Sequence, residues 1–134
     1  HLFAQKKYKA VNTLINERLA KSKKILIEEG RELYDVHAKA LCSDFRILIE
    51  RIIENDLLSD VIQRYRRAVK TMGKINNLSK ITDNDCQYFD DLMTKYSRYE
   101  HSKPSEAPVS MPSPEEFKHD FDGLKLWLTA FSNR

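Results

Sequence analysis

The chain has 134 residues, 41% hydrophobic and 32% charged, with a formal net charge of +3; this fits one domain of the usual roughly 100–200 residues and is too apolar for a disordered chain. No apolar run approaches the ~18 residues of a membrane span, and three glycines with four prolines exclude a collagenous repeat and favour long helices over a turn-rich β sandwich. Cys42 and Cys86 are too few and too isolated for a disulfide framework or a zinc site, which suits a reducing cytoplasm.

Residue 1 is His, and the helical pattern is already running at Leu2 and Phe3; the end at Asn133-Arg134 is as abrupt. Both ends predict an excised piece of a larger protein. No positively charged leader with an apolar core is evident, so no signal peptide is expected. The glycines, Gly30, Gly73 and Gly123, are isolated and form no phosphate loop, so the piece itself is not expected to hydrolyse nucleotides.

Residues 1–30 carry Tyr8, Val11, Ile15, Leu19 and Leu26 at helical spacing, with lysines on the other face. They predict an N-terminal helix, the end of a connecting arm, which Gly30 interrupts or kinks. The strongest run follows in Leu33, Val36, Ala40, Leu41, Phe45, Leu48, Ile49, Ile52 and Ile53, a stripe wide enough for a central helix packed on two sides. Asn55 and Asp56 offer a stop or bend, after which Leu57, Leu58, Val61, Ile62, Tyr65 and Val69 predict a third helix. Residues 70–81 lose the period and carry Gly73 and Asn76-Asn77, which predicts a loop or a short extended stretch.

Thr82 and Asp85 have the spacing of a capping box. The helix they open would place Cys86, Phe89, Met93 and Tyr96 on one face. All four prolines fall between 104 and 114 and mark 104–113 as a loop that closes the 31–103 helical core. Ser113-Pro114-Glu115-Glu116 reads as a second capping box with proline at the first helical position. Phe117, Phe121, Leu124, Leu128 and Phe131 complete a last amphipathic helix over 114–134, bordered by Trp127. The expected fold is all-α: a bundle of four to five helices with a proline-rich loop before the last. Cys42, Cys86, Met93 and Trp127 read as core.

Arg46 and Glu50 lie four apart beside the Phe45–Ile49 stripe, so both project the same way from the edge of the core. Taken alone, they read as an ordinary i,i+4 ion pair. Lys95-Tyr96-Ser97-Arg98-Tyr99-Glu100-His101-Ser102 gathers aromatics, cations and an imidazole at one helix end. Helix carbonyls there favour a protonated His101. This is equipment for general acid–base work on a phosphodiester, or else a plain C-terminal cap. Arg31 and His37 are six apart and so fall on different faces; His37 reads as a semi-buried structural histidine. Arg64, Arg66, Arg67, Lys70, Lys74 and Lys80 occupy an acid-free stretch with Tyr65, a candidate phosphate-facing patch for RNA or DNA backbone. Lys6, Lys7, Lys9, Lys21, Lys23 and Lys24 add to the basic front half or else read as a solvated face, and the tail over 100–134 is mildly acidic.

The stretch FRILIERIIENDLLSDVIQRYRRAVKT, then LSKIT and DDLMTKYSRYEHSKPSEAP, resembles the C-terminal helical region of large bacterial ATP-binding proteins. These pair an ATPase head of the coiled-coil, chromosome-maintenance type with a helical effector and are linked to phage defence. The anticodon nucleases, with HEPN-type ribonuclease effectors, belong to this group. The resemblance covers roughly residues 31–130. It implies a catalytic set of Arg46-x3-Glu50 with His101, and an RNA grip from Arg64, Arg66, Arg67, Lys70 and Arg98, with Tyr96 and Tyr99 as phosphate or base contacts. It also implies an ATPase head in the parent chain, a homodimer, and ATP only at that head, with no cofactor in this piece. Two other readings stay open: a non-catalytic module that clamps nucleic acid or a partner, and a purely structural bundle.

Overall fold

Gly30 decides the first reversal of the chain. It takes φ 96° and ψ −179°, a region open to glycine and costly for other residues. Across that one residue, α2 (Ala20–Glu29) turns back into α3 (Arg31–Ile52). The computed structural model describes residues 2–62, 67–69, 71, 73–100 and 110–134, the side chains of 2–5 and 100 excepted. Before α2, α1 (Leu2–Thr13) runs into it through a wide π-type turn, Leu14–Leu19. The ion pairs Arg18–Asp44 (2.5 Å) and Lys7–Asp56 (3.9 Å) link this leg to α3 and to the turn that follows it, at comparable distances from Gly30, so the two run antiparallel.

α4 (Asp83–Glu100) returns along α3, and α5 (Pro114–Ser132) reverses again. Lys95–Asp120 at one level and Trp127–Asp85 at another establish that α5 is antiparallel to α4. The Tyr8 hydroxyl donates to the Lys125 carbonyl (2.9 Å) and joins α1 to α5. The result is the expected all-α bundle, with no strand among the described residues. The first leg is a full part of it, since Val11, Leu14 and Leu19 belong to the common core. Phe45 sits at the centre, 4.7 Å from the Tyr96 ring and 4.5 Å from Phe121. Each large side chain buried this way contributes about 1.5–3 kcal/mol.

The helix starts follow sequence chemistry. Thr82 N donates to Asp85 Oδ2 (2.9 Å), and Asp85 N donates to Thr82 Oγ1 (3.2 Å), the reciprocal capping box. Ser113 Oγ accepts from Glu116 N (3.1 Å), with Pro114 first in α5. The Glu116 carboxylate, however, is held by Lys95 Nζ at 2.7 Å.

Four expectations need correction. α3 packs between α2 and α4, but its inward face is Tyr34, Ala38, Leu41, Cys42, Phe45, Leu48, Ile49 and Ile52. Leu33, Val36 and Ala40 face outward, because Tyr34, whose hydroxyl donates to the Pro112 carbonyl, takes the inward place beside Leu33. A third helix over 57–69 does not form among the described residues. A second wide turn, Ile53–Leu57, ends the helix, and Ser59 and Asp60 then adopt left-handed φ of 52° and 60°, which no α-helix tolerates. Residues 75–80 form a short 3₁₀ turn instead of a loop or extended stretch. Finally, Cys42 is buried but Cys86 is exposed, because Asp85 is the residue that α4 turns inward there.

Candidate functional site

Arg46 follows Phe45 on α3, and Ser97 follows Tyr96 on α4. The buried contact between the two rings therefore fixes the level at which the polar neighbours meet. There Arg46 Nε donates to Ser97 Oγ (3.2 Å), and Arg46 Nη2 pairs with Glu50 Oε1 (3.3 Å). The arginine side chain is 27% exposed and the glutamate 20%, so the pair is neither solvated surface nor core. A guanidinium in that position meets solvent and helix seam together, where charge acts more strongly than on an open surface. Ser97 carries no sequence signal as a partner; only the packing of α4 on α3 reveals it.

His101 lies outside the described residues and follows Glu100, the last residue of α4, directly in sequence. Arg98 is exposed near the same end. Tyr96 and Tyr99 do not fit the role of base or phosphate contacts. Both are buried, as members of the inward face Asp85–Phe89–Leu92–Tyr96–Tyr99. The Tyr96 hydroxyl donates to Asp120 Oδ2 (2.5 Å). Burial, and then that bond, push its phenol far above the ordinary range, and burial raises Tyr99 as well. Neither presents an open ring to a nucleotide.

Of the basic stretch, Arg64, Arg66 and Lys70 lie outside the described residues, and Arg67 and Lys80 are exposed. Lys74 is half-buried, 3.9 Å from Asp60, and so carries a counterion. Lys7 departs from the solvated face expected of it: it is 8% exposed and lies beside Asp56. His37 is half-buried, as its place on the helix predicts. Arg31 turns to Asp35 (3.8 Å) and Ser110 (3.2 Å).

A second polar site lies at the far end of the bundle. It is a cleft of about 160 Å³ lined by Asn55, Asp56, Ser59, Asn77, Lys80 and Phe131. Sequence reasoning treated Asn55-Asp56 and Asn76-Asn77 as breaks only; the fold brings Asn55, Asp56 and Asn77 to one cleft. Among the described residues, no three His, Cys, Asp or Glu side chains gather as metal ligands, and no helix is long and apolar enough to cross a membrane. No protein-family model, curated protein or solved structure matches this chain significantly.

Proposed function

We propose that the domain is a metal-independent endoribonuclease effector that acts on tRNA or another RNA. On this reading it works as a homodimer in the cytoplasm, controlled by an ATPase head elsewhere in a bacterial defence protein. The observation that carries the reading is Arg46, paired with Glu50 on its own helix and held across the α3–α4 seam by Ser97, with part of its side chain open to solvent. A simple surface ion pair needs no partner on a second helix. The reading also rests on the resemblance of 31–130 to the anticodon-nuclease group.

The reaction is a transesterification. The ribose 2′-hydroxyl attacks phosphorus, a base takes its proton, the 5′-oxygen leaves, and an acid protonates it. The products are a 2′,3′-cyclic phosphate and a 5′-hydroxyl. His101 serves as base or acid. Arg46 stabilises charge on the phosphorane oxygens, and Glu50 holds Arg46 or shares the proton transfer. Arg64, Arg66, Arg67, Lys70 and Arg98 grip the RNA backbone without reading its sequence.

The test is incubation of the protein with total tRNA in EDTA, beside Arg46→Ala, Arg46→Lys and His101→Ala. Wild type yields cyclic-phosphate ends. The alanine variants lose on the order of 100-fold or more in rate while their melting temperatures stay close to wild type. Cleavage that survives both alanine changes overturns the assignment. Binding without cleavage, lost on changing Arg64, Arg66 and Arg67 together, makes the domain a nucleic-acid clamp instead.

A further inference from the structure

Lys7 is buried, although its neighbours Lys6 and Lys9 on the first leg face solvent. Its ammonium enters the turn that ends α3. There it lies 3.9 Å from Asp56 Oδ2 and donates to the Asn55 amide oxygen (3.0 Å), while the amide nitrogen donates to Asp60 Oδ1 (2.8 Å). Asp60 Oδ2 faces Lys74 Nζ at 3.9 Å. The neighbouring Ser59 Oγ accepts from Asn77 Nδ2 (2.9 Å). A polar chain therefore runs from α1, through the turn, to the 3₁₀ segment Ile75–Lys80.

Two features give this turn a second state to relax into. Burial drives the Asp56 carboxyl above its ordinary range, and the Lys7 ammonium opposes that rise. A buried carboxylate that loses its cation is strongly destabilised where it stands. Ser59 and Asp60 hold left-handed backbone, φ 52° and 60°, at a helix end that usually takes glycine there. The Asp60 amide closes that end on the Glu54 carbonyl (2.9 Å), and each side chain adds its own tie, Ser59 to Asn77 and Asp60 to Asn55 and Lys74. Strained backbone of this kind persists only while its surroundings hold it.

We propose that Lys7 is the key of a latch through which the first leg sets the hold on the 3₁₀ segment. With the leg seated by the Tyr8–Lys125 bond and the Arg18–Asp44 pair, Lys7 fixes Asn55, Asn55 fixes Asp60, and the turn keeps the segment on the bundle. A slide of α1 by one residue of helix rise, about 1.5 Å, breaks the bond from Lys7 to Asn55. Shifts of that size carry signals between packed helices. The turn then relaxes, the segment loosens, and Lys74 exchanges the Asp60 carboxylate for other anions. Lys74 and Lys80 end the acid-free stretch read above as an RNA grip, so the latch controls that grip. This last role rests on the proposed function; the latch itself does not.

The test is hydrogen exchange on the full chain. The amides of Lys74, Asn77 and Ile81, bonded to the Thr71, Lys74 and Leu78 carbonyls, report the segment. Lys7→Met together with Asp56→Leu replaces both charges by apolar chains, a change that need not lower stability, and removes the donor to Asn55. Asn55→Ala cuts the relay one step later and leaves the Lys7–Asp56 pair in place. Either variant is expected to speed exchange at the three amides by about tenfold or more, with α4 and α5 within about twofold of wild type. Unchanged exchange at the three amides overturns the latch, as does a rise that only keeps step with α4 and α5. Binding of a short oligouridine, read by fluorescence anisotropy, is expected to tighten several-fold in both variants. Faster exchange without tighter binding upholds the latch and removes the RNA grip from this segment.

Discussion

Lys95 and Ser97 flank Tyr96 on α4, and they serve opposite seams of the bundle. Toward α5, Lys95 Nζ meets Glu116 and Asp120 at 2.7 Å each, and Asp120 also accepts from the buried Tyr96 hydroxyl. Burial works against the Lys95 ammonium, yet the Asp120 and Glu116 hydrogen bonds outweigh it and hold the group above its ordinary range. Toward α3, the Arg46 contacts to Glu50 and Ser97 are longer, 3.3 and 3.2 Å, and the pair stays partly open to water. One helix thus separates two tasks. Its α5 side is saturated and holds the bundle; its α3 side keeps a positioned cation at the surface.

The largest test of that division is Asp120→Ala. It leaves Lys95 one carboxylate short and the Tyr96 hydroxyl unsatisfied in the core, so stability falls by about 3 kcal/mol, read from urea unfolding. Glu50→Ala on the other seam is expected to cost less than about 1 kcal/mol. Equal losses would break the comparison.

Acid unfolding sharpens it next. Asp85 is 2% exposed and accepts from Arg134 (2.5 and 3.1 Å), Trp127 Nε1 (2.9 Å) and Thr82 N (2.9 Å). The Arg134 hydrogen bonds foremost, then those of Thr82 and Trp127, hold its carboxyl well below the usual carboxylate range against the opposing effect of burial. A folded-state value below the unfolded one means the stabilisation is complete above the unfolded pKa of about 3.9 and is lost as pH falls from there. Asp85→Asn therefore lowers stability at pH 7 and flattens its decline below about pH 4, measured as melting temperature against pH.

The smallest effect falls at the start of α5. Ser113→Ala removes the hydroxyl that accepts from Glu116 N and costs about 1 kcal/mol by thermal melt. Glu116→Ala costs no capping bond of its own, because its carboxylate is engaged by Lys95. A larger loss for Glu116→Ala than for Ser113→Ala would show the Lys95 cluster to outweigh the cap.

Local chemistry was the most legible part of the sequence. The Thr82–Asp85 box, Ser113-Pro114, Gly30 and the all-α class each rest on contacts between near neighbours in the chain. Within YSRYEH, Tyr96 and Tyr99 turn inward instead of toward a ligand, because periodicity groups side chains by face but does not say which face is buried. Tyr96 and Tyr99 share a face with Phe89 and Leu92; packing on Phe45 and Phe117 claims Tyr96, and Tyr99 lies against the Tyr96 ring at 6.0 Å. The α3 stripe slipped for the same reason, through the choice of Tyr34 over Leu33. Arg46 and Glu50 were legible as a pair because they are one turn apart; Ser97, fifty-one residues away, was not. Asn55, Asp56 and Asn77 were read as breaks because their common cleft exists only once α5 closes it.

Both wide turns sit between core residues five apart: Leu14 and Leu19 in the first leg, Ile52 and Leu57 after α3. Five residues of regular α-helix would swing the second side chain about 140° from the first; the broader turn brings both inward. Each is therefore a helix carrying one residue more than its length requires. Asn16 and Glu17, both exposed, are that surplus in the first leg. A chain shorter by one of them would place its leucines four apart, still on one face of an unbroken α-helix. The molecule thus marks where its own length is adjustable: a residue removed at such a turn leaves the inward faces of the flanking helical segments unchanged.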